Sequence, residues 1–79
     1  MKQSETRSLY LIASEIRRDW QKVNYAAKPY LDAMHSLNSI EDQYMYDTGK
    51  SVVRYFLSNA STWRGTKARE IKAELRAML

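Results

Sequence analysis

Leu9, Ile12, Ala13, Ile16, Trp20 and Val23 recur at three- and four-residue steps. That spacing places them on one face of an α-helix and would scatter them over both faces of a strand. Ser4 is a suitable N-cap, and Glu5 suits the positive end of the helix dipole. A first helix is therefore expected over about residues 5–23. Its apolar stripe must be covered by other elements of the same kind, and the rest of the chain supplies them.

Lys28-Pro29 interrupts the first pattern, because a proline is tolerated in the first turn of a helix but not in its interior. A second helix is expected from there to about Leu37, packing through Tyr30, Leu31, Met34 and Leu37. The segment 38–49 contains the turn formers Asn38, Ser39, Asp47 and Gly49, which predict a connector with one helical turn around Ile40–Tyr44. From an N-cap at Asp47 or Thr48 a third helix should run to about Asn59 and bury Val52, Val53, Phe56, Leu57 and Ala60. Ser58–Gly65 reads as a turn or a loosely wound lead. Ala68, Ile71, Leu75 and Met78 then define a last helix from about Thr66, with an earlier start at Thr62 as the alternative. The expected fold is all-α, a compact bundle of about four short helices in a single domain, residues 1–79.

Size and composition narrow the function classes. A chain of 79 residues offers only about a few kcal/mol of net stability from one core, so self-association into a homo-oligomer is one way to gain more. There is no cysteine, hence no disulfide framework and no thiolate metal site, and a cytoplasmic setting is expected. The longest apolar run, Leu9–Ala13, is far short of the roughly 20 residues of a membrane span, and no signal-peptide pattern opens the chain.

Charge is segregated. Residues 1–28 hold six Lys/Arg against three acids and residues 50–79 hold seven against two, whereas residues 29–49 hold four acids and no Lys or Arg. Two basic ends thus flank an acidic middle that carries Tyr30, Tyr44 and Tyr46, with Tyr25 beside it. Tyrosine combines a rigid apolar ring with a polar tip and concentrates at recognition sites, but it also closes small cores with its hydroxyl in water. Both readings stand at this point. If the partner is a protein, Tyr44 and Tyr46 with Glu41, Asp42 and Asp47 form one candidate contact face.

The basic residues form two candidate stripes. On a 3.6-residue wheel Arg7, Arg18 and Lys22 fall within about 60° of one another, with Leu11 between them. Arg69, Lys72 and Arg76 share a flank of the last helix at i, i+3 and i+7. Such clusters are the electrostatic footprint of phosphate contact, although an ordinary solvated helix face has the same look and Glu15 and Asp19 weaken the first stripe. A helix-turn-helix is disfavoured, because the 38–48 connector is too long and too acidic.

Residues for catalysis are scarce. His35 is the single histidine, and Asp32 is its nearest helical carboxylate, so an exposed or capping histidine is the plainer reading. Glu41-Asp42 and Asp47 lack the alternation of a calcium loop, and Gly49-Lys50-Ser51 lacks the upstream glycine and strand of a phosphate loop. No enzyme, cofactor or metal is expected. Trp63 reads as a core plug or helix staple.

The phrases Ser8-Leu-Tyr-Leu-Ile-Ala-Ser-Glu-Ile-Arg-Arg-Asp-Trp20, Pro29-Tyr-Leu-Asp-Ala-Met34 and Tyr55-Phe-Leu-Ser-Asn-Ala-Ser-Thr-Trp-Arg-Gly65 resemble small accessory proteins of bacteriophages and mobile elements. That resemblance covers most of the chain. It implies a non-catalytic protein that occupies a surface on a macromolecular partner inside a bacterial host, in the style of inhibitors of host defence such as anti-CRISPR proteins. The alternative expectation is a nucleic-acid-binding protein that uses the basic helix faces.

Overall fold

A computed structural model describes residues 7–79; the expected cap at Ser4 and the acid at Glu5 lie outside this range. Four helices follow in order, α1 (Leu9–Asp19), α2 (Lys28–Met34), α3 (Gly49–Ser58) and α4 (Thr66–Met78). Between α2 and α3 the chain makes a small antiparallel hairpin, β1 (Gln43–Tyr44) and β2 (Asp47–Thr48), in the register Gln43↔Thr48 and Tyr44↔Asp47. The molecule is mostly helical, but it is not purely all-α. Where a helical turn is expected at Ile40–Tyr44, the chain makes one turn closed by the Asp42 N–H on the Ser39 carbonyl at 3.1 Å and then enters this hairpin, whose two-residue turn holds no glycine to announce it.

One continuous cluster of buried side chains joins the four helices. The apolar stripes read from the sequence supply it: Leu9, Ile12, Ala13, Ile16 and Trp20 from the first segment, Leu31, Met34 and Leu37 from the second, Val52, Val53, Phe56 and Ala60 from the third, and Ala68, Ile71 and Leu75 from the last. Val23, Tyr30, Leu57 and Met78 pack at its edge, half-buried. Trp63 is buried in the turn before α4. Its ring lies parallel to that of Trp20 at 5.7 Å, and Phe56 meets both rings edge-on at 6.2 and 6.3 Å. Edge-on and parallel contacts at such distances are the favoured arrangements of aromatic rings.

Helix α1 is shorter than the periodicity suggests. Ser8 is extended, with φ −63° and ψ 141°, and its hydroxyl donates to the Asn38 side chain instead of capping α1. The orphan N–H groups of Leu9 and Tyr10 donate to the carbonyls of Asn38 and Leu37, both at 3.0 Å, so the chain leaving α2 caps α1 through its backbone. At the other end Trp20 leaves helical geometry as its ring stacks on Trp63. Asn24 then turns the chain, its side-chain oxygen accepting from the Ala26 N–H and its carbonyl from those of Ala27 and Lys28. The second helix likewise stops at Met34, and Leu37 is buried from the turn beyond it.

Helix α3 begins as expected. The Thr48 hydroxyl oxygen accepts from the Ser51 N–H at 3.2 Å and caps it, the usual role of threonine at this position. The last helix starts at Thr66, not at Thr62, after Gly65 at φ 114°.

Candidate functional site

The acidic tyrosine segment is split by the fold into a structural part and a projecting part. Asp42 is a structural brace: its carboxylate accepts from the Asn38 and Ser39 N–H groups, and its carbonyl accepts from Gly49 N–H at 2.7 Å. Tyr44 is half-buried against the core. Met45 and Tyr46 form the hairpin tip, 79% and 100% exposed, with Glu41, Asp47 and Thr48 exposed around them. Met45 holds φ at 58°, the left-handed region that favours glycine and costs other residues about 1–2 kcal/mol. Tyr46 stands out in the sequence as one of the tyrosines of the acidic middle, whereas no spacing rule distinguishes Met45 from a core methionine.

The two expected basic stripes have different fates. Because α1 covers only Leu9–Asp19, Arg7 precedes the helix and Lys22 follows it, so Arg7, Arg18 and Lys22 do not form one continuous helical flank. Arg7 is used inside the fold. Its Nε and Nη2 donate to both carboxylate oxygens of Glu74 at 2.9 and 2.7 Å, and its Nη1 donates to Glu15 at 2.6 Å. One guanidinium therefore ties α1 to α4, a forked geometry that lysine cannot reproduce. The pairing with Glu74 and then Glu15 raises the Arg7 pKa further, and the hydrogen bond from Arg7 holds the Glu15 carboxyl below its ordinary value. Arg18 lines a shallow cleft of about 260 Å³ with Lys67, Glu15 and Asp19, where opposite charges are mixed. Arg69 and Arg76 are exposed on α4, as is Lys22 beyond α1. Lys72 donates to the Trp63 carbonyl at 2.7 Å and lies 5.8 Å from the centre of the Trp63 ring.

His35 forms the C-cap of α2. Its Nε2 accepts from Arg17 Nε at 2.7 Å, and Arg17 also pairs with Asp32. Accepting requires an unprotonated Nε2. Burial first, and then the positive charge of Arg17, push the imidazole below its ordinary value, opposed by Asp32. The trio links α1 to α2 and lies outside both the 260 Å³ cleft and a second one of about 420 Å³ lined by Ser39, Ile40, Glu41, Ala77 and Met78. Arg17 was not singled out from the sequence, where it is one of several cations beside the stripe. Gly49 opens α3 as a packing glycine. A Cβ there would stand 2.7 Å from the Ser39 carbonyl oxygen and 2.8 Å from Ile40 Cα. Among the described residues no group of three or more His, Asp or Glu side chains could hold a metal ion, and no helix is long and apolar enough to cross a membrane.

No protein family, curated protein or solved structure matches this chain.

Proposed function

We propose that this protein is a non-catalytic accessory protein, of the phage or mobile-element type, that binds a protein partner stoichiometrically in the cytoplasm of a bacterial host. Inhibition of a host defence system is the role that this reading implies. The observation that carries it is the hairpin tip. Met45 and Tyr46 are held out of the core on a turn whose backbone disfavours a non-glycine residue, although apolar surface exposed to water is unfavourable. A methionine and a tyrosine are suited to filling a pocket on a partner, with adaptable apolar contact from one and a rigid ring from the other. Glu41 and Asp47 beside them would select a partner surface that bears lysine or arginine. Asp42 and Tyr44 support the tip from below.

Affinity capture from a bacterial host, followed by reconstitution with the captured protein, tests this reading. Wild-type protein should form a complex of fixed stoichiometry by light scattering. Tyr46→Ala should weaken it by about tenfold or more, the range of an interface anchor, with the helical circular dichroism unchanged. A complex indifferent to Tyr46→Ala and Met45→Ala would remove the hairpin from the interface and end the proposal.

A further inference from the structure

Arg64 lies in the turn that leads into α4, and Arg69, Lys72 and Arg76 lie on the helix itself. At 100° per residue the side chains at 69, 72 and 76 fall within about 60° of one another, and 72 and 76 are helical neighbours. The Lys72 ammonium is anchored on the Trp63 carbonyl, which is bonded directly to the backbone nitrogen of Arg64. The row therefore continues past the start of the helix. Among the described residues the salt bridges are made by Arg7 and Arg17, and this row takes part in none. Glu74, the acid nearest in sequence to Arg76, is turned the other way, onto Arg7, and the exposed Glu70 forms no salt bridge with the row. Lys72 feels the result. Its pKa is lowered by burial first and then by the charges of Arg76 and Arg64, and no carboxylate among the described residues acts on it in the opposite sense.

Four like charges with no paired carboxylate among the described residues suit an anionic partner, and the small side chains beside them indicate its class. Thr66 and Ala73, within about 60° of Arg69 on the helix wheel, are exposed beside the row. They are too small to anchor a protein interface, which depends on a desolvated aromatic or aliphatic centre. Contact with a phosphate backbone needs only charge, donors and close approach, which small neighbours allow. From position 69 to 76 the helix rises about 10 Å, the axial run of about three phosphates on one strand of a duplex. We infer that Arg64, Arg69, Lys72 and Arg76 form a sequence-independent contact for the phosphate backbone of a nucleic acid, with residues other than those of the hairpin tip. The inference stands whether or not the hairpin binds a protein, and its test uses different residues.

Fluorescence anisotropy with a labelled duplex of about 20 base pairs, titrated from about 50 to 200 mM salt, reads the contact directly. Four phosphate contacts should give a slope of log Kobs against log[salt] of about −3 to −4. Arg69→Gln/Arg76→Gln, which keeps the side-chain stems and avoids reversed charge in the helix, should weaken binding about tenfold or more and reduce the slope magnitude by about 2. Arg64→Gln/Arg76→Gln should act alike. Arg18→Gln and Tyr46→Ala should leave affinity within about twofold, since neither belongs to the row. Circular dichroism establishes that each variant is folded. Three results would overturn the assignment: no anisotropy change at 50 mM salt, equal affinity for wild type and both double variants, or competition by poly-glutamate as effective as by unlabelled duplex at equal charge.

Discussion

A side chain at position 49 has nowhere to go, because the Ser39 carbonyl oxygen and Ile40 Cα would lie 2.7 and 2.8 Å from its Cβ. Replacing a helical glycine by alanine ordinarily stabilises by about 1 kcal/mol. Here the sign should invert. Gly49→Ala is expected to lower stability by about 1–3 kcal/mol, the usual cost of forcing an extra carbon into packed surroundings. Urea unfolding measures it, and a midpoint equal to or above wild type would contradict the close approach. Gly65 is required for a different reason: nothing crowds its Cβ position, but its φ of 114° is rarely open to other residues. Both glycines are visible in the sequence, where both mark helix starts. Their two different physical roles are not, since crowding is a property of the neighbouring turn and φ a property of the path.

At the scale of elements, helix ends are where sequence and structure part. The expected first helix reached to residue 23, yet α1 stops at Asp19, because stacking Trp20 on Trp63 and turning the chain at Asn24 take precedence over continuing the helix. The hairpin is equally hidden: Asp47 is a turn former, but the two residues of the turn itself, Met45 and Tyr46, carry no turn signal. The α1–α2 pair carries a pH dependence of its own through His35. Its folded-state value lies below the ordinary 6.5, so between the two values the unfolded chain binds more protons and stability rises with pH. The His35 contribution is complete above about pH 6.5 and is lost as pH falls toward the lower folded value. Glu15, also lowered from 4.5, adds a loss in the same direction at more acid pH. The thermal midpoint should therefore drop between pH 7.5 and 5.5. In His35→Gln, whose amide oxygen can still accept from Arg17 without titrating, that drop should shrink. Superimposable pH profiles for the two proteins would show that the Arg17 contact does not couple to protonation.

For the molecule as a whole, one cluster of buried side chains holds four short helices, and its aromatic centre is Trp20, Phe56 and Trp63. Among the described residues the longest helix has 13 residues, and isolated helices up to about 12–15 residues are marginal in water. Loss of the centre should therefore be felt by every element at once. Phe56→Ala is expected to cost about 3–5 kcal/mol, a large share of what a domain of this size has. Helical ellipticity and the tryptophan fluorescence of the stacked pair should melt together at a lowered temperature. A variant that loses one signal and keeps the other would show that the two halves of the core are independent. The same centre organises the exterior. Asp19 accepts from the Trp63 indole N–H at 2.8 Å, and Lys72 sits on the Trp63 carbonyl, so a buried ring positions part of the charged surface.

Apolar spacing by itself determined most of the residues that go inside and that most of them arrive on helices, because burial follows the 3.6-residue period, whereas Trp20, Leu37, Ala60 and Trp63 are buried from beyond the helix ends. Pro29 and Thr48 marked two helix starts by local chemistry alone. Only the tertiary structure decided where α1 and α2 stop, that Asp42 is a brace while Tyr46 projects, and that Arg7 is consumed by Glu15 and Glu74 while the α4 row pairs with no carboxylate among the described residues. The physical reason is the same in each case. A charge or a chain end finds its partner across space, and the identity of that partner is set by how separate helices pack, 67 positions apart for Arg7 and Glu74.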